Sequence, residues 1–252
     1  MNTLEKYSPL LFLLMWSSGA IFVKLGLQDA SVSVFLTIRS IGAALALIIV
    51  CALIAKKRGL KEALLLPKRL LLRVIIIGIL LQVGYQTAYF LALNYQLTPG
   101  VLAIILGLQP ILTPIFANEK IGKTGYFYLF LGLTGLIIAI FGARDLGAVT
   151  ILGLFFGLIS VVAISAGSVM QKKSIIDPVT AAFYQALTAS CIFLLVLPFT
   201  ETRLNLTPTF IISASWMTIV VSTLAVLLLF RMLAKNSASK VGVLFYMVPV
   251  IT

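Results

Sequence analysis

Residues 98–114 read TPGVLAIILGLQPILTP, an apolar helix interrupted near its far end by Pro110 and Pro114, with one amide, Gln109, beside the first proline. Proline inside a helix frees a backbone carbonyl and bends the axis, so in lipid it survives only where neighbouring helices or water satisfy the freed group. The segment is therefore expected in the interior of a helical bundle. Much the same segment returns at 237–252 as SASKVGVLFYMVPVIT, where Pro249 stands 139 positions after Pro110, Thr252 after Thr113 and Ser237 after Thr98. A doubled, proline-bent helix implies a core assembled from two related halves.

Composition sets the solvent. Of the 252 residues, 61% are apolar and 10% charged, and the mean hydropathy is +1.16, far from the values of soluble domains. At about 20 residues per crossing the chain spans a bilayer roughly nine times. Spans are expected at roughly 8–27, 33–55, 72–93, 99–118, 124–143, 149–171, 179–199 and 210–232, with a ninth beginning near 238. The first is read as a retained span, because it is long, polar-flanked and lacks an A-x-A cleavage site.

The net charge of +12 could be mistaken for a nucleic-acid footprint, but its placement is topological. When the connections are assigned alternately to the two sides, the side of the N-terminus collects fifteen Lys and Arg and the other side three, Lys24, Arg144 and Arg203. That asymmetry places the N-terminus in the cytoplasm. Attraction to anionic headgroups is secondary, and no nucleic-acid partner is expected. Cys51 and Cys191 fall inside spans with no ligand spacing near them and are read as buried thiols. The basic loop 56–73 is expected to anchor the topology and to include a short surface-lying helix.

Several side chains are polar or aromatic where the surroundings are not. Trp16, Ser17, Ser18 and Gly19 lie at mid-depth in the first span, as a packing face or a cavity wall. Arg39 lies about two turns inside the second span, with no carboxylate within any span to pair with it. Its counter-group is a solute anion, or it clamps helix ends together. In the third span Gln82, Tyr85, Gln86 and Tyr89 fall on one stripe, for interhelical hydrogen bonds or for a cavity wall. The candidate solute-binding set is Trp16, Arg39, Tyr85, Gln86, Tyr89, Gln109, Tyr184, Gln185 and Tyr246.

A shift of 148 lays residues 17–35 over 165–183, matching Ser17 with Ser165, Lys24 with Lys172 and Asp29 with Asp177. A shift of 139 relates the third and fourth spans to the eighth and ninth. Five spans per half is an odd number, which inverts the second half. The run WSSGAIFVK (16–24), the helix 98–114 with Glu119 at its end, and their echoes up to Pro249 resemble the EamA-type members of the drug/metabolite transporter superfamily.

That resemblance implies an all-α integral membrane protein of two inverted five-helix repeats. Residues 1–145 would form the first repeat and 146–252 an incomplete second, so the chain is read as C-terminally truncated. It further implies alternating access and export or exchange of a small metabolite (amino acid, nucleobase or related anion) across the inner membrane. The expected partners are that solute and the lipid bilayer, a homodimer is left open, and no cofactor or metal is expected. A non-transporting scaffold is the alternative. An intramembrane enzyme is disfavoured: the chain has no histidine, and its seven carboxylates (Glu5, Asp29, Glu62, Glu119, Asp145, Asp177, Glu201) lie at span ends or in loops. For the same reason facilitated diffusion or exchange is expected before proton antiport.

Overall fold

The computed structural model describes residues 3–55, 59–120, 122–142, 150–236 and 241–248. Ser237, Lys240, Pro249 and Thr252, the cations at 56–58, and the division expected at 145 lie outside the described residues.

Seven helices among the described residues are long and apolar enough to cross a membrane: α1 (Tyr7–Asp29), α2 (Val32–Ile54), α3 (Lys68–Asn94), α4 (Pro99–Ala117), α6 (Ile151–Lys172), α7 (Pro178–Phe199) and α8 (Pro208–Lys235). Between α4 and α6 runs α5 (Lys123–Gly142), whose 20 residues reach about 30 Å, the thickness of the hydrocarbon layer. The chain is thus an all-α, multi-pass membrane protein, and its helices fall on the spans expected from hydropathy. Among its described residues the basic loop forms a short helix, Leu60–Leu64, and from Lys68 the first turns of α3.

Local chemistry explains where the helices start. Thr98, Asp177 and Thr207 each precede a proline, and each accepts a backbone N–H of the first turn through its side chain. The cap satisfies an orphan donor, while proline at the first helical position has no N–H to lose. In α4 the helix is interrupted at Gly107–Leu108, between Pro99–Leu106 and Gln109–Ala117. The interruption comes just before Pro110 because that residue has no N–H for the Leu106 carbonyl. α1 steps at Ser18, whose Oγ donates to the Met15 carbonyl (2.7 Å) and accepts from Trp216 Nε1 (2.8 Å).

Two helices carry a widened turn that nothing in the composition announces. In α3 it spans Ile79–Gly84 and in α8 Met217–Ala225. The 139-residue shift lays the first inside the second. Such turns insert one residue into the helical ladder and turn side chains away from their regular faces.

Close packing joins the helices around the centre. A Cβ on Gly78 of α3 would sit 3.0 Å from the Cα of Gln185 in α7, so a side chain there would press on that backbone. The Gly153 and Gly157 pair of α6 lies against Leu97 and Ile105 at α4. Outward, Leu45, Ile49 and Leu53 of α2 and Phe127, Tyr128 and Leu131 of α5 are exposed, as a lipid-facing surface requires. Cys51 is buried, but Cys191 is exposed on the outer face of α7, a correction to the expectation for both thiols. An apolar thiol is as compatible with lipid as with a core.

The ends of the bundle are stitched by arginines. Arg203, between α7 and α8, donates to the carbonyls of Gln28 (2.6 Å) and Leu27 (3.2 Å) at the end of α1. At the opposite end Arg73 of α3 donates to the Lys173 carbonyl (2.8 Å) at the end of α6. Each supplies a cation where a helix C-terminus leaves carbonyls unsatisfied.

Candidate functional site

Arg39 is the eighth residue of α2, about 10 Å along it, and only 6% exposed. Its Nε donates to Ser222 Oγ at 2.5 Å, and its guanidinium carbon lies 5.6 Å from the centre of the Phe90 ring. Ser222 belongs to the widened turn of α8, where Thr223 Oγ1 donates to the Thr218 carbonyl five residues back (2.8 Å). The described hydrogen bond of the guanidinium is that to Ser222, and among the described residues no carboxylate forms an ion pair with it. A buried arginine without an acid is unusual, because the charge has left water without a counter-charge.

An aromatic wall leads away from the arginine. Trp16 stacks on Tyr85 (6.4 Å, 11° between planes), Tyr85 lies 5.8 Å from Tyr89, and Tyr89 lies 6.4 Å from Phe90. Beside it Gln86 Nε2 donates to Gln82 Oε1 across the widened turn of α3 (2.6 Å).

Three small cavities meet at these residues. The first, about 30 Å³, is lined by Trp16, Arg39, Tyr85, Gln86 and Tyr89, with Met217 and Val221 of α8 closing it. The second, about 10 Å³, lies across Arg39 and is bounded by Ser40, Gln82, Gln86 and Ser222. The third, about 40 Å³, lies across Trp16 and Tyr89, against Ser17, Leu102, Leu106 and Phe245. Each holds one to a few waters at most. At the α1–α3 end of the bundle a larger groove of about 370 Å³ is bordered by Lys24, Gln28, Asn94, Gln96 and Thr98.

Five of the nine candidates from the sequence therefore come together: Trp16, Arg39, Tyr85, Gln86 and Tyr89. The other four do not. Tyr184 donates to the Leu64 carbonyl (2.6 Å), pinning the short helix to α7. Gln185 Nε2 donates to Gln171 Oε1 (2.7 Å) where α7 meets α6. Tyr246 donates to the Leu129 carbonyl of α5 (2.8 Å). Gln109 is 1% exposed with no described partner for Oε1, and like Thr113 it is buried in the far half of α4.

Sequence reading missed Ser40, Ser222, Phe90, Met217 and Val221. Ser222 had one available signal, since the 139-residue shift places it over Val83, next to Gln82 of the polar stripe. Among the described residues no cluster of three or more His, Cys, Asp or Glu could hold a metal ion. The arrangement offers a positive charge, neutral hydrogen-bonding groups and stacking surfaces, which suits recognition of a solute.

The model of the EamA-like transporter family matches residues 8–143 and 151–252. No curated protein matches the chain. A solved structure, described only as a crystal structure of protein, is 21% identical and covers 97% of this chain and 84% of its own, with a TM-score of 0.74. At that identity the likeness concerns the fold.

Proposed function

Given that the chain belongs to the EamA-like transporter family, whose members are membrane transporters, we propose that it is a secondary carrier moving a small organic metabolite by alternating access. The solute meets Arg39, Gln86 and the Trp16–Tyr85–Tyr89 wall in the middle of the bundle. The observation that carries this reading is the buried, acid-free guanidinium of Arg39 at the junction of cavities lined from α1, α2, α3 and α8. An arginine in that setting is stabilised when a solute anion replaces the water it has lost.

The two-half architecture is part of the proposal. It is supported by the two matched segments, 8–143 and 151–252, by the widened turns at corresponding places in α3 and α8, and by arginines capping α1 and α6 at opposite ends. In this reading residues 1–145 and 146–252 form inverted halves, and the solute site lies between them. The N-terminus faces the cytoplasm of an inner membrane, with Lys24 outside and Lys172 inside. Flux is export or exchange, without proton coupling.

The test is binding to the purified protein. Amino acids, nucleobases and organic anions are screened by calorimetry, with Arg39→Ala as control. Binding of a solute by the wild type that the variant loses supports the carrier. Binding unaffected by Arg39→Ala would remove the site from this cavity.

A further inference from the structure

The solute class can be narrowed by charge, given the carrier reading above. The cavities around Arg39 hold a full positive charge and no negative one. Among the described residues no carboxylate lies in the interior of a span; Asp29 is the last residue of α1. Its carboxylate accepts from Thr207 Oγ1 (2.6 Å), Asp177 caps α7, and Glu201 pairs with Arg203 beyond α7.

We propose that the preferred solute is a planar aromatic carboxylate without an amino group, a net anion rather than a zwitterion. Its carboxylate lies against the Arg39 guanidinium, whose planar fork matches two carboxylate oxygens. Gln82 and Gln86 border that position and supply neutral N–H donors, and Ser40, whose hydroxyl donates to the Thr37 carbonyl (3.1 Å), lies beside them. Its ring lies along Trp16, Tyr85 and Tyr89, which offer faces for stacking. The ring enters when the first and third cavities merge, since Trp16 and Tyr89 are the walls they share.

An α-ammonium group changes the balance. It sits one carbon from the carboxylate, so it is held within a few ångströms of the guanidinium, a like charge in a weakly screening medium. Among the described residues lining these cavities there is no acid to receive it. Aromatic faces can receive an ammonium, but the Phe90 face already carries Arg39. The site therefore discriminates against zwitterions by leaving a positive charge unpaired, which is specificity through an unfavourable contact.

Three labelled compounds with one ring system isolate the charges: indole-3-propionate (carboxylate only), tryptophan (carboxylate and ammonium) and tryptamine (ammonium only). Uptake into vesicles containing the purified full chain is measured, with protein-free vesicles subtracted, together with binding by calorimetry. Indole-3-propionate is expected to exceed tryptophan by at least about tenfold in kcat/KM, and tryptamine to show no protein-dependent flux. Arg39→Gln removes the advantage of the anion, while Arg39→Lys, which keeps the charge, retains part of it and serves as the folding control.

Tryptophan carried as well as or better than indole-3-propionate overturns the inference and leaves the carrier standing. If none of the three is carried or bound, the inference also fails. The carrier reading then survives only if another metabolite binds in an Arg39-dependent way.

Discussion

Arg39 of α2 donates through Nε to Ser222 Oγ in the widened turn of α8, at 2.5 Å. This bond fixes a charge that has no acid partner and joins helices 183 positions apart in the chain. An arginine held through Nε keeps its two terminal nitrogens for another acceptor.

Ser222 is accordingly a positioning residue. Ser222→Ala lowers stability by about 1.5–3 kcal/mol, the contribution of a hydrogen bond to a charged group. It raises KM for an anionic solute while kcat changes little, and Ser222→Thr, which keeps the hydroxyl, recovers most of the loss. Flux and thermal unfolding of the three proteins check both parts. Equal loss in the alanine and threonine variants would mean that side-chain size, not the hydrogen bond, matters there.

Gly78 reports on the seam between α3 and α7. A Cβ there would meet the Gln185 backbone at 3.0 Å, so Gly78→Leu separates the helices and costs about 3 kcal/mol. Gly135, with nothing near its Cβ position, serves as the control: Gly135→Ala leaves the unfolding midpoint nearly unchanged. Unfolding of both variants in detergent by denaturant titration measures this.

Topology is testable with single cysteines. Lys24→Cys is modified by a membrane-impermeant thiol reagent only from outside intact cells, and Lys172→Cys only after the membrane is opened. The opposite pattern would reverse the assignment made from the positive charges.

Energy coupling follows from absent groups. With no histidine in the chain and no carboxylate among the residues that line the three cavities, nothing there has an ordinary pKa between 5 and 8. Flux of a solute whose own charge is constant over that range changes by less than about twofold from pH 6 to pH 8. A pH gradient alone drives no accumulation. Accumulation driven by such a gradient would contradict this.

Much of the architecture was legible in the sequence, because spans in lipid must be long, apolar and hydrogen-bonded internally. Arg39 was legible for a related reason: a charge in oil demands an explanation. Tyr184 and Tyr246 look like Tyr85 in sequence, yet they satisfy carbonyls of Leu64 and Leu129. Depth and polarity do not reveal which neighbour a hydroxyl meets. Ser222 was hidden because serine in an apolar helix commonly bonds its own backbone. The widened turn that presents it to Arg39 has no compositional signature.

The central claim is that the solute site around Arg39 opens alternately to the two sides of the membrane. Ser40 lines the second cavity beside Arg39, so Ser40→Cys in a background lacking Cys51 and Cys191 places a reporter there. In vesicles of known orientation, an impermeant thiol reagent is predicted to modify it from either face, and a bound solute to slow both reactions. Modification from one face only, or from neither, with the protein folded and binding solute, would contradict the account.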